Sequence, residues 1–293
     1  MSAILDDMDS RPGSATSLLR TVVGTYLRGM GGWIAVSHLV ELMRTAGVSA
    51  PRTRTALSRV KNKGLLTPEV RDGVPGYRLL PEAVPMLVRG DRRIYTPRWM
   101  TEDDRWCLIS YSVPEENRGL RHQLRRRLHW IGCGSVSPAL WVCPEYLAEE
   151  VQEIVDDLGP DTGATLFLVD EVRGSVPLAR QVATWWDLDA IGDLHEAFVS
   201  AHGEQIRSLG TDPKPERAFA TWISSLDTWR IIPYLDPGLP ASLLPADWPG
   251  KESIPLFDSL QKTVLTRAAA HVRAVTGREN PRTGSPEQTQ EMP

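Results

Sequence analysis

Apolar residues near the start of the chain recur at the three- and four-residue spacing of helices, in three consecutive stretches. The first stretch is SLLRTVVGTYL, and it ends at the glycines of GMGGW. The second is HLVELMRTAG, for which Ser37 is the predicted N-cap. The third lies in SAPRTRTALSRVKNKGLL, with Ser49 as N-cap, Pro51 in the first turn and Gly64 as the C-terminal stop. The pattern therefore predicts three short helices in a row.

The third predicted helix has one apolar side and one polar side. At about 100° per residue, Thr53, Ala56, Leu57 and Val60 share one side. The opposite side carries Arg52, Arg54, Thr55, Ser58, Arg59 and Asn62. Guanidinium, hydroxyl and amide groups on one exposed face are suited to contact base edges and phosphates of DNA.

A hairpin is predicted directly after the third helix, with strands LLTPEV and YRLL around the turn RDGVPG. Three helices and a hairpin are the elements of a winged helix-turn-helix, whose third helix enters the major groove while the hairpin, or wing, reaches the backbone. Arg71 and Arg78 flank the turn, and we predict that both contact phosphates. The predicted DNA-binding domain covers residues 14–91, after a disordered N-terminus at residues 1–13.

The rest of the chain divides into three further parts. Residues 92–104 show no clear period and predict a linker. Residues 105–180 follow the order β-α-β-(β)-α-β, which predicts a ferredoxin-like domain. Strand patterns stop there, so residues 181–277 predict an all-helical C-terminal domain, and the polar residues 278–293 a disordered tail. The fold class is predicted as α+β.

The charge of the chain is unevenly distributed. The net charge is −4, yet 14 basic and 5 acidic residues lie between Ser14 and Arg98, a local net charge of +9. A basic part on an acidic body is typical of a protein that binds nucleic acid with one domain. The alternative is a winged-helix scaffold that recruits another protein and has no small-molecule effector. A steep fall of affinity with salt would favour DNA over a mainly apolar protein partner.

Composition and cysteine count exclude several other classes. No apolar run approaches the roughly 18 residues that span a bilayer, and the N-terminus is acidic where a signal peptide is basic. We therefore expect a cytoplasmic protein without a membrane partner. The three cysteines, Cys107, Cys133 and Cys143, form no CxxC pair, so they predict buried thiols rather than a disulfide framework or a zinc site. No cofactor and no metal site is predicted.

Six segments, in order, resemble the PaaX-type transcriptional repressors of phenylacetic acid catabolism. They are SLLRTVVGTYL, RTALSRVKNKGLL, RWCLISYSVPEENRGLRHQLRRRLHWIG, WVCP, WDLD and LLPADWPG. The resemblance runs from about Ser14 to Thr276 and implies a winged helix, a ferredoxin-like domain and a helical C-terminal domain. It also implies a homodimer that binds a palindromic operator. Release would follow binding of an aryl-CoA or acyl-CoA thioester, which is phenylacetyl-CoA in the best-known members.

An enzymatic alternative comes from the central domain, which also resembles the small CRISPR-associated ferredoxin-like nucleases. In those enzymes the first strand ends in a metal-binding aspartate. Here Ser112 stands at that place, and a neutral hydroxyl is a poor ligand for Mg²⁺. The chain also lacks Walker, GxSxG and HExxH sequences. We therefore predict that the protein is not an enzyme.

A CoA thioester requires cationic groups for its phosphates and apolar walls for the remainder. The densest cationic cluster outside the DNA-binding domain lies in NRGLRHQLRRRLHW. The predicted effector contacts are Arg118, Arg121, His122, Arg125, Arg126 and Trp130, with Trp141, Trp185 and Trp186 as further candidate walls. Two alternatives stay open for this cluster. Its arginines are solvated or paired with acidic residues, or they contact operator phosphates.

A single winged helix reads only a short DNA sequence, so specificity requires two copies on half-sites about 34–36 Å apart. We predict that the C-terminal helices supply much of the dimer contact, through Phe219, Trp222, Leu226 and Trp229.

Overall fold

The computed structural model describes residues 11–278 and contains helices and two small antiparallel sheets, which confirms the α+β class. The predicted disorder at residues 1–13 and 278–293 falls mostly on residues 1–10 and 279–293, which lie outside the described part. The chain forms two compact units. The first contains residues 11–96, 197–230 and 251–278, and the second contains residues 97–196 and 231–250.

The N-terminal part of the first unit is a winged helix. Its elements are α1 (Ala15–Val22), which continues into a π-helical turn (Val23–Leu27), β1 (Trp33–Ala35), α2 (Val36–Thr45), α3 (Ala50–Asn62), β2 (Leu66–Arg71), β3 (Val74–Leu79) and α4 (Val84–Tyr95). The sheet has the order β1-β3-β2, and both pairs are antiparallel. The predicted order of three helices and a hairpin is confirmed.

The turn between α2 and α3 is closed by backbone hydrogen bonds around a glycine. Gly47 has a φ of 80°, the left-handed region that a residue with a Cβ rarely adopts. The N–H of Gly47 donates to Arg44 O (3.0 Å), and that of Val48 donates to Met43 O (2.8 Å). These two hydrogen bonds form a Schellman motif that ends α2. Val48 is buried directly after it, and the motif together with this burial determines where α3 begins.

Several local boundaries differ from the predicted ones. The helix α2 begins at Val36, so Ser37 lies inside its first turn instead of capping it. Ser49 has the extended backbone of an N-cap, but its side chain makes no capping hydrogen bond. The helix α4 runs to Tyr95, so the first four residues of the predicted linker 92–104 are helical.

The hairpin turn is tighter than the predicted RDGVPG turn. Only Asp72 and Gly73 lie between the strands, and both have positive φ (50° and 77°), as a two-residue type I′ turn requires. Gly76 lies inside β3 and not in the turn. A Cβ at this position would be 2.4 Å from Cζ2 of Trp33, so a larger residue would clash with the indole. Glycine thus permits close packing of the indole in this strand, and the turn needs it only at Gly73.

The second unit contains the predicted ferredoxin-like arrangement. Its elements are β4 (Trp106–Ser110), α5 (Arg118–Trp130), β5 (Gly134–Ser137), β6 (Leu140–Pro144), α6 (Ala148–Leu158), β7 (Thr165–Val169), α7 (Leu178–Trp185) and the start of α8 (Leu188–Arg207). The antiparallel sheet has the order β5-β6-β4-β7. This is the strand order of a ferredoxin-like fold, and it confirms the predicted alternation.

The core of the second unit contains the three cysteines and four tryptophans, which are Trp106, Trp141, Trp186 and Trp248. Cys107, Cys133 and Cys143 are buried free thiols, as predicted. The hydrogen bond between Cys107 and Cys143, together with burial, raises the pKa of Cys107, so this thiol stays protonated. Trp141 and Trp186 are also buried, and the indole N–H of Trp186 donates to Gly132 O (2.8 Å). These two indoles are core residues, so the expectation that they form ligand walls was wrong.

The remaining helices are α9 (Pro215–Trp229), α10 (Ile232–Leu235) and α11 (Gly250–Thr276). The helices of the predicted C-terminal domain, residues 181–277, are divided between the two units, because residues 197–230 and 251–278 group with the winged helix. Within the first unit, the rings of Phe198, Trp229 and Phe257 pack together, with Trp229 stacked on Phe257 at 4.4 Å.

This aromatic packing corrects the predicted dimer surface. Phe219, Trp222, Leu226 and Trp229 are all at most 2% exposed within the single chain. Tyr26 of the first helical segment stacks on Phe219, and Tyr95 of α4 stacks on Trp222. Side chains buried in the core of one chain are not available to a second copy, so this set is not the dimer contact. The homodimer itself stays a prediction.

A buried carboxylate joins α1 to α9. Asp227 is fully buried and accepts hydrogen bonds from Ser17 Oγ (2.6 Å), Thr21 Oγ1 (2.7 Å) and the N–H of Gly13 (2.7 Å). Arg230, also buried, donates from Nε to Asp227 (3.3 Å) and from Nη2 to Ser17 Oγ (3.0 Å). The charge of Asp227 is therefore compensated by an arginine and by donors from the first helix.

Replacing Asp227 with alanine should destabilise the first unit strongly. The change removes the carboxylate that compensates the buried charge of Arg230 and that accepts hydrogen bonds from Ser17 and Thr21, which costs about 3–5 kcal/mol. Urea denaturation followed by circular dichroism measures the loss. The matched control is Asp212→Ala, which removes an exposed ion pair with Arg267 and should change stability little. Equal midpoints for the two variants would contradict this role of Asp227.

Candidate nucleic-acid interface

The polar face of α3 is exposed along its whole length. All six residues predicted on this face are exposed in the structure: Arg52, Arg54, Thr55, Ser58, Arg59 and Asn62. The opposite residues Thr53, Ala56, Leu57 and Val60 are buried, and α3 packs against α1 and α2. The predicted division of the helix into two sides is therefore correct, and contact of the exposed side with DNA stays a prediction.

The arginines of α3 differ from others in the winged helix in having no counter-ion in the part of the chain that the structure describes. Arg28 forms a bidentate pair with Asp91 (2.7 and 2.9 Å), and Arg44 pairs with Glu41 (2.6 Å). Between residues 11 and 278, by contrast, Arg52, Arg54 and Arg59 make no ion pair. The positive charge of this face is therefore not compensated by an ion pair within residues 11–278.

The two wing arginines share one carboxylate. Nε of Arg71 donates to Oε1 of Glu69, and Nε of Arg78 lies 2.8 Å from Oε2 of the same residue. The hydrogen bond from Arg71, with the charges of both arginines, lowers the pKa of Glu69, so the carboxylate is ionised at neutral pH. Both pairs are made by Nε, so they do not need the terminal nitrogens of either guanidinium.

Trp33 supports the base of the wing. The guanidinium of Arg71 lies over its ring, 5.4 Å from the centroid, and its indole N–H donates to Glu69 O (3.2 Å). Sequence reasoning missed both Trp33 and Glu69. The two-residue spacing of Glu69 and Arg71 on one strand was the available signal, because residues i and i+2 share a face. Nothing local connected Trp33, which pairs with Arg78 through β1 and β3, to the hairpin.

The predicted effector residues lie on α5, and the structure brings two of them together. Arg118 Nε donates to Glu115 (2.7 Å), and Arg121 pairs with the same carboxylate (3.0 Å) and donates to Val113 O (2.9 Å). These two arginines lower the pKa of Glu115 through hydrogen bonds and charge. His122, Arg125 and Arg126 are exposed, and Trp130 is half-buried. Arg127, which was not among the predicted residues, is buried and pairs with Asp157.

A cavity of about 60 Å³ lies in the first unit, between the first helical segment, α4 and α9. Arg20, Arg28, Asp91 and Arg230 form part of its wall. None of its lining residues comes from α5. Pockets for drug-sized ligands have volumes of about 300–1,000 Å³, so this cavity is too small for a CoA thioester.

The place where the related nucleases carry a metal-binding aspartate is occupied by Ser112, which follows β4. Its N–H donates to Thr162 O (3.2 Å), and the side chain is a neutral hydroxyl. Across residues 11–278, no group of three or more His, Cys, Asp or Glu side chains is arranged to hold a metal ion. None of the helices in that range combines the length and hydropathy needed to cross a bilayer.

Three helices followed by a hairpin, with an exposed third helix, place the N-terminal part of the first unit in the class of winged helix-turn-helix proteins. Three family models match consecutive parts of the chain. They are the PaaX-like protein model (residues 14–83), the PaaX protein central Cas2-like domain (residues 100–180) and the PaaX-like protein C-terminal domain (residues 186–274). The chain belongs to the PaaX family.

Two similar proteins extend this comparison. The Transcriptional repressor PaaX of Escherichia coli (strain K12) is 25% identical over 271 residues, which cover 89% of this chain and 84% of that protein. The solved structure of Uncharacterized protein Rv0674 from Mycobacterium tuberculosis matches with a TM-score of 0.53 and 21% identity. That match covers 87% of this chain and 96% of the other, and it supports the fold alone.

Proposed function

We propose that this protein is a transcriptional repressor that binds double-stranded DNA through α3 and the wing. The observation that carries the proposal is the row of exposed arginines on the third helix of a winged helix, which make no ion pair with the described residues. Family membership supports it, since the similar Escherichia coli protein is a transcriptional repressor. Binding would block transcription by occupying the operator.

The proposed contacts divide into two kinds. Arg54 and Arg59 enter the major groove, where a guanidinium can donate two hydrogen bonds to O6 and N7 of guanine. Thr55, Ser58 and Asn62 contact base edges or phosphates, while Arg52 neutralises a phosphate. Arg71 and Arg78 on the wing add affinity with little sequence preference. Their terminal nitrogens remain suited to phosphate while Glu69 holds each Nε.

We propose that two copies bind a palindromic operator, because one α3 reads too few base pairs for useful specificity. The repressor would act in the cytoplasm. We propose no catalytic activity, and Ser112 in place of a metal-binding carboxylate supports this view. A winged-helix scaffold for another protein is the alternative, and it predicts binding that depends weakly on salt.

We further propose that an aryl-CoA or acyl-CoA thioester, such as phenylacetyl-CoA, releases the protein from DNA. The exposed face of α5 is the proposed site, with Arg125 and Arg126 as phosphate contacts, since Arg118 and Arg121 are engaged by Glu115. The thioester can release DNA only if it binds the DNA-incompetent arrangement more tightly. A coupling of about 1–3 kcal/mol, roughly 5–150-fold, is sufficient and acts equally in both directions.

Substituting Arg54 or Arg59 with alanine should weaken DNA binding without unfolding the protein. Loss of a bidentate guanine contact costs about 1–3 kcal/mol, roughly 5–150-fold in affinity. Mobility-shift titration measures the effect on a DNA fragment that the protein selects from a random-sequence library. The matched control is Arg44→Ala, which removes an exposed arginine that α2 pairs with Glu41. If both α3 variants bind like the parent, α3 is not the reading helix.

The double variant Arg125→Ala with Arg126→Ala should lose its response to phenylacetyl-CoA and keep its affinity for the selected DNA. The control is Arg180→Ala, an exposed arginine elsewhere in the second unit. The readout is the phenylacetyl-CoA concentration that releases half of the bound DNA. Release at the parent's concentration would place the effector site elsewhere. Loss of DNA binding would assign these arginines to operator phosphates.

A further inference from the structure

Trp33 holds two arginines that are far apart in the sequence. The guanidinium carbon of Arg71 lies 5.4 Å from the ring centroid, and that of Arg278 lies 5.2 Å from it. Both distances are within the range of a cation–π interaction. Trp33 is 6% exposed, and its ring also packs against the backbone of Gly76 in β3. One indole therefore contacts the wing and a residue just beyond the last helix.

Arg278 is held in this position by hydrogen bonds as well as by the ring of Trp33. It follows the end of α11, where Gly277 has a φ of 66° and the N–H of Arg278 donates to Thr276 Oγ1 (3.3 Å). Its Nη1 donates to Met30 O (3.0 Å) and to Trp33 O (3.3 Å). Hydrogen bonds from a charged donor are stronger than those between neutral groups. These contacts hold the segment that leads into β1.

The same segment determines where Arg71 lies. β1 pairs with β3 at the register Trp33 to Arg78, and the indole N–H of Trp33 donates to Glu69 O on β2. Glu69 in turn accepts from Nε of Arg71. The guanidinium of Arg71 is thus held by the ring of Trp33 and by the carboxylate of Glu69. Because it is already ordered, it loses little conformational entropy when it binds a phosphate.

We propose that Arg278 is a positioning residue of the DNA interface, acting through Trp33 to hold the wing arginine Arg71 in place for a phosphate. This inference rests on the proposed function, because it assumes that the wing contacts DNA. Arg278 itself need not touch DNA. Its place near the C-terminal side of the chain explains why no pattern in residues 14–91 pointed to it.

Loss of Arg278 should remove the contribution of Arg71 to binding while leaving α11 folded. The helix is anchored independently by its buried residues Val264, Ala268 and Val272. An effect on folding alone would lower the fraction of active protein. It would not change how affinity depends on salt, because that slope counts the phosphates that each bound protein neutralises.

The experiment measures the affinity of the full chain for the selected DNA fragment between about 50 and 200 mM salt, a range over which phosphate contacts make affinity fall steeply. Arg278→Ala should reduce the slope of log K against log salt by about 0.9, the value for one phosphate, and Arg71→Ala should do the same. The double variant should show no further reduction. The matched control is Arg267→Ala, an α11 arginine that pairs with Asp212 and should keep the parent's slope.

The outcomes separate this inference from the proposed function. A parental slope for Arg278→Ala, while Arg71→Ala lowers it, would overturn the positioning role. A further drop in the double variant would also overturn it, since independent contacts add. If Arg71→Ala, Arg54→Ala and Arg59→Ala all leave DNA binding unchanged, the proposed function fails as well as this inference. Stoichiometric titration gives the active fraction of each variant, so partial unfolding is not mistaken for a change of slope.

Discussion

The buried carboxylate of Asp227 is the constraint on which the arrangement of the first unit depends. It accepts hydrogen bonds from Ser17, Thr21, Gly13 and Arg230. These charge-assisted hydrogen bonds connect α1 and α9 inside the core. A charge without these partners would be very costly to bury, which favours the one arrangement that satisfies it. Because α1 also packs against α3, the carboxylate contributes to the position of the exposed helix. The C-terminal helix α9 therefore packs against the winged helix and helps to fix its position.

The arginines of the first unit fall into two groups with different physical states. Arg28 and Arg230 are buried or nearly so and have carboxylate partners that compensate their charge. Arg52, Arg54 and Arg59 are exposed and make no ion pair within residues 11–278. The wing residue Arg71 is intermediate, because Glu69 and Trp33 orient it while more than a third of the side chain stays exposed. Such an arrangement combines a rigid support with a free charged surface, as DNA recognition requires.

The features that could be predicted from the sequence are those encoded by local spacing. The buried positions Thr53, Ala56, Leu57 and Val60 of α3 follow a helical period, and the order of elements in residues 105–180 is that of the observed sheet. The strand β1 could not be predicted, because three residues are too few for an alternating pattern and pairing with β3 supplies its stability. The tight Asp72–Gly73 turn was missed because Gly76 looked like a turn residue, whereas it makes room for Trp33.

Long-range partners account for the remaining differences. Apolar faces do not reveal what covers them, so Trp222 and Trp229 suggested a dimer contact, whereas Tyr95 and Phe257 cover them within one chain. Likewise, the sequence suggested Arg118 and Arg121 as contacts for an effector, while Glu115, just before α5, pairs with both. Arg278 belongs to the same category, since its carbonyl partners Met30 and Trp33 lie more than 240 residues away.

Methylation protection shows whether α3 contacts bases in the major groove. Dimethyl sulfate modifies N7 of guanine in the major groove and N3 of adenine in the minor groove. On a DNA fragment selected by the full-length protein, we expect protection of guanine N7 at the bound site under saturating protein. Saturated binding with unprotected guanine N7, or with protection of adenine N3 alone, would contradict this expectation.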